Sequence, residues 1–205
     1  MSVFSLMTLA ALVVVGDIVV RLNRTGPERA APAALSAQAS SLSRDPALND
    51  PATGLSYELL GKPWHSGCPR GLSTAEFRWT SGEAAVAGTV RGGADWYANA
   101  CSGPLPRQFR GYSPGQAAWA MADAVESEYY SELKHSVTVV RSAAVRVGGR
   151  SGWLAEFTVH YDRGQHLAWS SELAGVVVAG DAVFYVSVPD NLGTRTAATL
   201  LSSLR

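Results

Sequence analysis

A chain of 205 residues is long enough for one domain with a sizeable core plus an appendage, and too short to make two full domains comfortable. Apolar residues make up 47% and charged ones 17%, a globular balance that excludes a chain disordered throughout. The 17 basic side chains are matched by 17 acidic ones, so the basic surplus that phosphate backbones require is missing and no nucleic acid partner is expected.

Residues 3–15 form an unbroken apolar or weakly polar run, which Gly16, Asp17 and Ile18-Val19-Val20 extend before Arg21 and Arg24. A membrane span wants about 20 such residues, and Asp17 sits near the end, where a charge costs less than at mid-membrane. The run exceeds the apolar region of a cleaved signal peptide, and no basic residues precede it. Residues 1–22 are therefore read as a single-pass transmembrane anchor in the cell membrane.

Two signals disagree on topology. Arg21, Arg24 and Arg29 all follow the run, which by the positive-inside bias keeps the rest of the chain in the cytoplasm. Against this stand the two cysteines, Cys68 and Cys101. They are either a pair of buried free thiols or one intrachain bridge, and a bridge belongs in an oxidising compartment. The expectation adopted is an extracytoplasmic domain with Cys68 and Cys101 bridged, a loop closure worth roughly 3–4 kcal/mol on entropic grounds.

Residues 23–53 are rich in Ala, Pro and Ser without a sustained apolar period, and are read as a linker. The folded domain is expected over residues 54–205. Leu55 to Leu60 reads as a first strand, stopped by Gly61-Lys62-Pro63, and Trp64 to Gly71 as a loop carrying Cys68. Further strands are predicted at Ala75 to Trp79 and Ala84 to Val90, then a short aromatic piece at Trp96-Tyr97. Cys101-Ser102-Gly103-Pro104 reads as loop, so the bridge would staple the loop after the first strand to the loop before a helix.

That helix opens with Ser113 as N-cap, Pro114 at the first helical position and Gln116 completing a capping box. Ala118, Met121, Val125, Tyr129 and Leu133 recur on one face. The period then changes to two. Val137 to Val140 and Ala143 to Val147 are β-rich, and Gly148-Gly149-Arg150 marks a turn. Trp153, Ala155, Phe157, Val159 and Tyr161 alternate with Leu154, Glu156, Thr158, His160 and Asp162. Turns at Asp162 to Gln165 and Ala179 to Asp181 lead into strands at Leu167 to Val178 and Ala182 to Val188. Asp190 is predicted to cap a last helix whose Leu192, Thr196, Leu200, Leu201 and Leu204 share a face. The order β-β-β-α-β-β-β-β-α predicts an α+β fold, an antiparallel sheet flanked by helices on both faces.

With that order, and most locally through Gly180 to Pro189 followed by the final helix, the domain from about Leu55 to Arg205 resembles the PsbP-like superfamily, which includes small exported actinobacterial proteins of the LpqN type. The resemblance implies an α/β/α sandwich and a binding or accessory module rather than an enzyme. It carries over no site residue. LpqN-type proteins are lipid-anchored through an N-terminal cysteine, whereas residues 1–67 here contain none, so the transmembrane helix would replace that anchor.

Three constellations are candidates for chemistry. Gly111-Tyr112-Ser113-Pro114-Gly115 matches the G-x-S-x-G turn of a hydrolase serine, but no buried parallel strand precedes it, and a plain N-cap explains Ser113 with fewer demands. Glu156, His160 and Asp162 share the outward row of one strand, with His166 and Glu172 on the next. Such a face could bind a metal or move a proton, although solvated polar rows usually do neither. His65 with Cys68 lacks a second ligand pair at zinc spacing. Of the six tryptophans, Trp64 and Trp96 lie in or beside Gly-rich loops and are the candidate surface anchors for a protein or small-molecule partner. The expectation is a membrane-anchored, extracytoplasmic, non-enzymatic binding or accessory module of the cell envelope with no cofactor. Its rival is an anchored envelope hydrolase using Ser113 or the Glu156/His160 face.

Overall fold

The computed structural model describes residues 47–205; the expected anchor and most of the expected linker lie outside them. Among the described residues no helix is long and apolar enough to cross a membrane.

The strands are β1 (Ala47–Asp50), β2 (Leu55–Glu58), β3 (His65–Ser66), β4 (Ser81–Thr89) and β5 (Asp95–Pro104). After helix α1 (Pro114–Tyr129) come β6 (His135–Val147), β7 (Arg150–Tyr161), β8 (Ser171–Ala179), β9 (Ala182–Pro189) and helix α2 (Arg195–Ser203). Strands β1 and β2 pair with each other alone. The other seven form one antiparallel sheet in the order β3-β4-β5-β9-β8-β7-β6. The meander β6 to β9 follows from its turns: Gly148 and Gly149, at φ 55° and 78°, close the β6–β7 hairpin, and Gly180 at φ 60° with Asp181 closes β8–β9. The non-local step is β9 pairing with β5, which places the last strand beside one formed before helix α1, in the middle of the sheet.

Alternation then assigns the two faces. Ala155, Phe157, Val159, Val176, Val183 and Tyr185 share a core with Ala118, Met121 and Val125 of α1. The residues between them, Leu154, Val177, Phe184 and Val186, share the other core with Ala197 and Leu200 of α2 and with Leu55 and Tyr57 of β2. A helix therefore covers each face, as the apolar character of both rows requires. Helix α1 carries the expected capping box, with Ser113 Oγ accepting from the Gln116 N–H. Its regular part stops at Tyr129, short of Leu133.

Several expected elements differ. Strand β1 lies within the segment read as linker. Ala75 to Trp79 is not a strand: residues 67–80 cross the α1 face as a strap, with Phe77 buried and Trp79 stacked 5.8 Å from Tyr185. Cys101 is not in a loop. It is fully buried in β5, opposite Tyr185, because the Ser-Gly-Pro that follows it continues the strand. Gly103 is needed there, since the carbonyl of Arg78 in the strap occupies the space a Cβ would fill. The Cys68–Cys101 disulfide, Cα–Cα 5.9 Å, thus ties the strap to a central strand. It passes over Gly82, where any side chain would meet both sulfurs. Residues 167–170 are not strand either, and Asp190 does not cap α2. Its carboxylate accepts instead from the N–H and hydroxyl groups of Ser170 and Ser171.

Candidate functional site

Strand β8 places Ala174, Val176 and Val178 in the α1-side core, and the same parity puts Glu172 there, opposite Val159. Glu172 is completely buried. A carboxylate in such a place is costly unless hydrogen-bonded, and four elements supply donors. Trp96 Nε1 of β5 (3.0 Å) and the Tyr161 hydroxyl of β7 (2.7 Å) donate to Oε2. The hydroxyls of Tyr130, just past α1 (3.0 Å), and of Ser187 on β9 donate to Oε1. Tyr130 and Tyr185 join hydroxyl to hydroxyl at 2.9 Å. Burial pushes the Glu172 carboxyl above the usual carboxylate range, and the bonds from Ser187, Tyr161, Trp96 and Tyr130 pull down without cancelling it. Burial, and after it the nearby Glu172 charge, also raises Tyr130, Tyr161 and Tyr185.

A cavity of about 720 Å³ opens against this cluster. Strand β3 and the strap from Gly67 to Leu72 form one wall and the aromatic rings of Trp96, Tyr97 and Tyr129 another. Asn99, Tyr185 and Ser187 lie at its floor, with Asp95, Arg70 and Glu128 among the exposed lining groups. Trp96 is held in place by stacking on Trp169 at 5.9 Å, and Gly88 leaves room for the Trp169 ring. Asn99 is 4% exposed. Its Nδ2 donates to the Tyr97 carbonyl at 2.9 Å, which turns Oδ1 the other way, and Oδ1 has no protein partner. A buried, unpaired acceptor lining a cavity is a group prepared for something that donates.

The structure brings only part of the sequence-derived set here. Trp96 is in the site. Trp64 packs against the α2-side core instead, so the two tryptophans are not neighbours. Cys101 anchors the floor and Cys68 the strap. Ser113 is exposed at the start of α1, where both its hydroxyl and its backbone N–H bond to Gln116. Glu156 and His160 lie on the α2 side of β7, half-buried and exposed respectively, and His166 is exposed in the following turn. Glu172, expected beside them, is on the opposite face; both rows of β8 are apolar, which hides its phase in the sequence. Among the described residues no group of three or more His, Cys, Asp or Glu side chains is placed to hold a metal ion.

Sequence reasoning missed the cavity. One signal was present, the parity of Glu172 with Ala174, Val176 and Val178. The donors come from residues 96 to 187 and could not be assembled from spacing.

No protein-family model matches the chain, and no curated protein matches it in sequence. Among solved structures, the chain is similar to the solution structure of cyanobacterial PsbP (CyanoP) from Synechocystis sp. PCC 6803, with 12% identity and a TM-score of 0.49, over 81% of this chain and 95% of that one. At that identity and score the likeness is one of chain path and says nothing of ligands.

Proposed function

We propose that the chain is a membrane-anchored, extracytoplasmic, non-enzymatic binding or accessory module of the cell envelope, PsbP-like in architecture and akin to the LpqN type, and that the cavity beside Glu172 is where it binds. The observation that carries the reading is the unpaired, buried Asn99 acceptor on the floor of a roughly drug-sized cavity. Aromatic walls support it, since Trp and Tyr supply contact area at low entropic cost. The disulfide supports an oxidising compartment. The capping role of Ser113 supports a structural rather than nucleophilic serine.

The test is a panel of chemically diverse fragments, read by ligand-detected NMR on the full chain, with Val86→Trp as the blocked control. Val86 lines the cavity yet is 49% exposed, so a larger side chain there narrows the mouth at little cost to the fold. Fragments that bind and are lost in Val86→Trp support the site. A panel with no binders, or binders indifferent to the substitution, sinks it.

A further inference from the structure

We propose that the cavity selects a small molecule carrying a protonated amine or guanidinium, held with that group on the floor formed by Asn99, Ser187 and Tyr185; this rests on the cavity being the binding site. Trp96 Nε1 and the Tyr161 hydroxyl are spent on Glu172 Oε2, and the Tyr130 and Ser187 hydroxyls on Oε1. With the Tyr130 proton committed to Glu172, its contact with Tyr185 must use the Tyr185 proton. One of the two Asn99 Nδ2 protons goes to the Tyr97 carbonyl.

The hydroxyl protons of Tyr185 and Ser187 therefore point into the protein, and the lining residues Tyr185, Ser187 and Asn99 keep acceptor capacity that the protein does not fill, Asn99 Oδ1 having no protein partner at all. A carboxylate or phosphate would set its lone pairs against these, with only the second Asn99 Nδ2 proton to receive it. A ligand that brings N–H groups completes the network.

Charge selects in the same direction. The Glu172 carboxylate stands directly behind this floor, in surroundings where electrostatic attraction is weakly screened. Asp95 and Glu128 add two more carboxylates to the lining, against Arg70 as the one arginine or lysine. The faces of Trp96, Tyr97 and Tyr129 suit the same group, because aromatic rings attract cations through their quadrupole. Donor geometry, charge and ring faces thus agree on a nitrogen cation, and none of them favours an anion.

The experiment compares hexylamine, hexylguanidine, hexanol and hexanoate, which share a chain and differ in the head group, by ligand-detected NMR titration of the full-length protein. The two cations should bind about tenfold more tightly than hexanol, with hexanoate weakest. In Glu172→Gln the preference for the cations over hexanol should collapse towards unity. If that variant does not fold, Asn99→Leu decides: it removes the orphan acceptor at the cost of one hydrogen bond to the Tyr97 carbonyl, and the cations should then lose about tenfold in affinity. Hexanol binding as tightly as hexylamine, or undiminished cation affinity in the variants, overturns the proposal while leaving the cavity a binding site. Failure of all four probes overturns both.

Discussion

Asp50 and Glu172 are buried carboxylates that each accept four hydrogen bonds, yet their carboxyls are shifted in opposite directions. Asp50 fastens the β1–β2 hairpin to the main sheet, accepting from the Ala52 N–H (3.0 Å) and the hydroxyls of Thr53 (2.7 Å), Thr80 (2.8 Å) and Ser102 (2.8 Å). Burial pushes its carboxyl up, but the Thr53, Thr80 and Ser102 hydroxyls and the Ala52 amide more than offset that and hold it below the usual range. At Glu172 the same number of donors fails to offset burial. Equal hydrogen-bond counts therefore do not make equal sites. Around Asp50, Thr53 is half-buried and Thr80 exposed, so the carboxylate is close to water. Glu172 is closed in by four aromatic and hydroxyl side chains and has no exposed surface.

The largest way to break this contrast is to remove the disulfide, because the strap it holds covers only the Glu172 face. Cys68→Ala with Cys101→Ala should cost about 3–4 kcal/mol in a urea titration, by the loop-entropy estimate. Hydrogen exchange should then quicken at residues 69–77 while β1 and β2 stay protected. Equal acceleration on both faces would mean that the strap is not a separate wall of the cavity.

Next in size is the comparison of neutral analogues. Asp50→Asn should cost about 2 kcal/mol at pH 7, since it removes a charge that its surroundings favour. Glu172→Gln should cost less, because its surroundings disfavour the charge it removes. The pH dependence follows with opposite signs. For Asp50, whose folded value lies below the unfolded one near 3.9, the stabilisation is present above that unfolded value and lost as pH falls through the folded one. For Glu172 the folded value lies above the unfolded one near 4.3, so the folded state holds its proton longer and stability declines as pH rises from the unfolded value through the folded one. Unfolding midpoints from pH 3 to 8 should show the decline flattened in Glu172→Gln and the acid loss blunted in Asp50→Asn. Parallel curves for the two variants would contradict the assignment.

What the sequence made legible follows the same division. Local chemistry was readable: the Ser113-Pro114-Gln116 cap, the Gly148-Gly149 and Gly180-Asp181 turns, and the meander they join each depend on neighbouring residues. Elements set by distant packing were not. Ser102-Gly103-Pro104 has the composition of a loop, and only the carbonyl of Arg78, arriving from the strap, explains why a strand needs glycine at 103. Asp190 looks like a helix cap, but the serines at 170 and 171 reach it first. Glu172 is the sharpest case. A glutamate in an apolar row looks like an error in phase until its donors, contributed by Trp96, Tyr130, Tyr161 and Ser187, are seen together.

Helix α1 offers a smaller test of the Glu172 face, since Tyr130 reaches the carboxylate from its C-terminal end. Ser113→Ala removes the cap at the far end and should cost about 1 kcal/mol of stability. Binding by the cavity should be unchanged, because no cavity group contacts the N-terminus of the helix. Labelling of Ser113 by a fluorophosphonate would instead restore the hydrolase reading and make the cap incidental.

The smallest effect concerns a third carboxylate, Glu126, which is 37% exposed and so extends the comparison towards water. Its Oε1 lies 2.5 Å from His135 Nε2, and His135 Nδ1 lies 2.7 Å from the Leu133 carbonyl, joining α1 to β6. Burial lowers the histidine, but the Leu133 carbonyl and Glu126 together raise it above its ordinary value. A raised folded value means that the stabilisation is fully present below the unfolded value near 6.5 and is lost as pH rises through the folded one. Because solvent screens Glu126, the gain should be only about 0.5 kcal/mol. Comparing unfolding midpoints of the parent and His135→Asn at pH 5.5 and 8.5 isolates it: the parent should lose this increment between the two and the variant should not. An unchanged difference across that range would place the histidine in its neutral form throughout. Exposure would then have removed the effect entirely, and the gradation from Glu172 through Asp50 to Glu126 would rest on the two buried carboxylates alone.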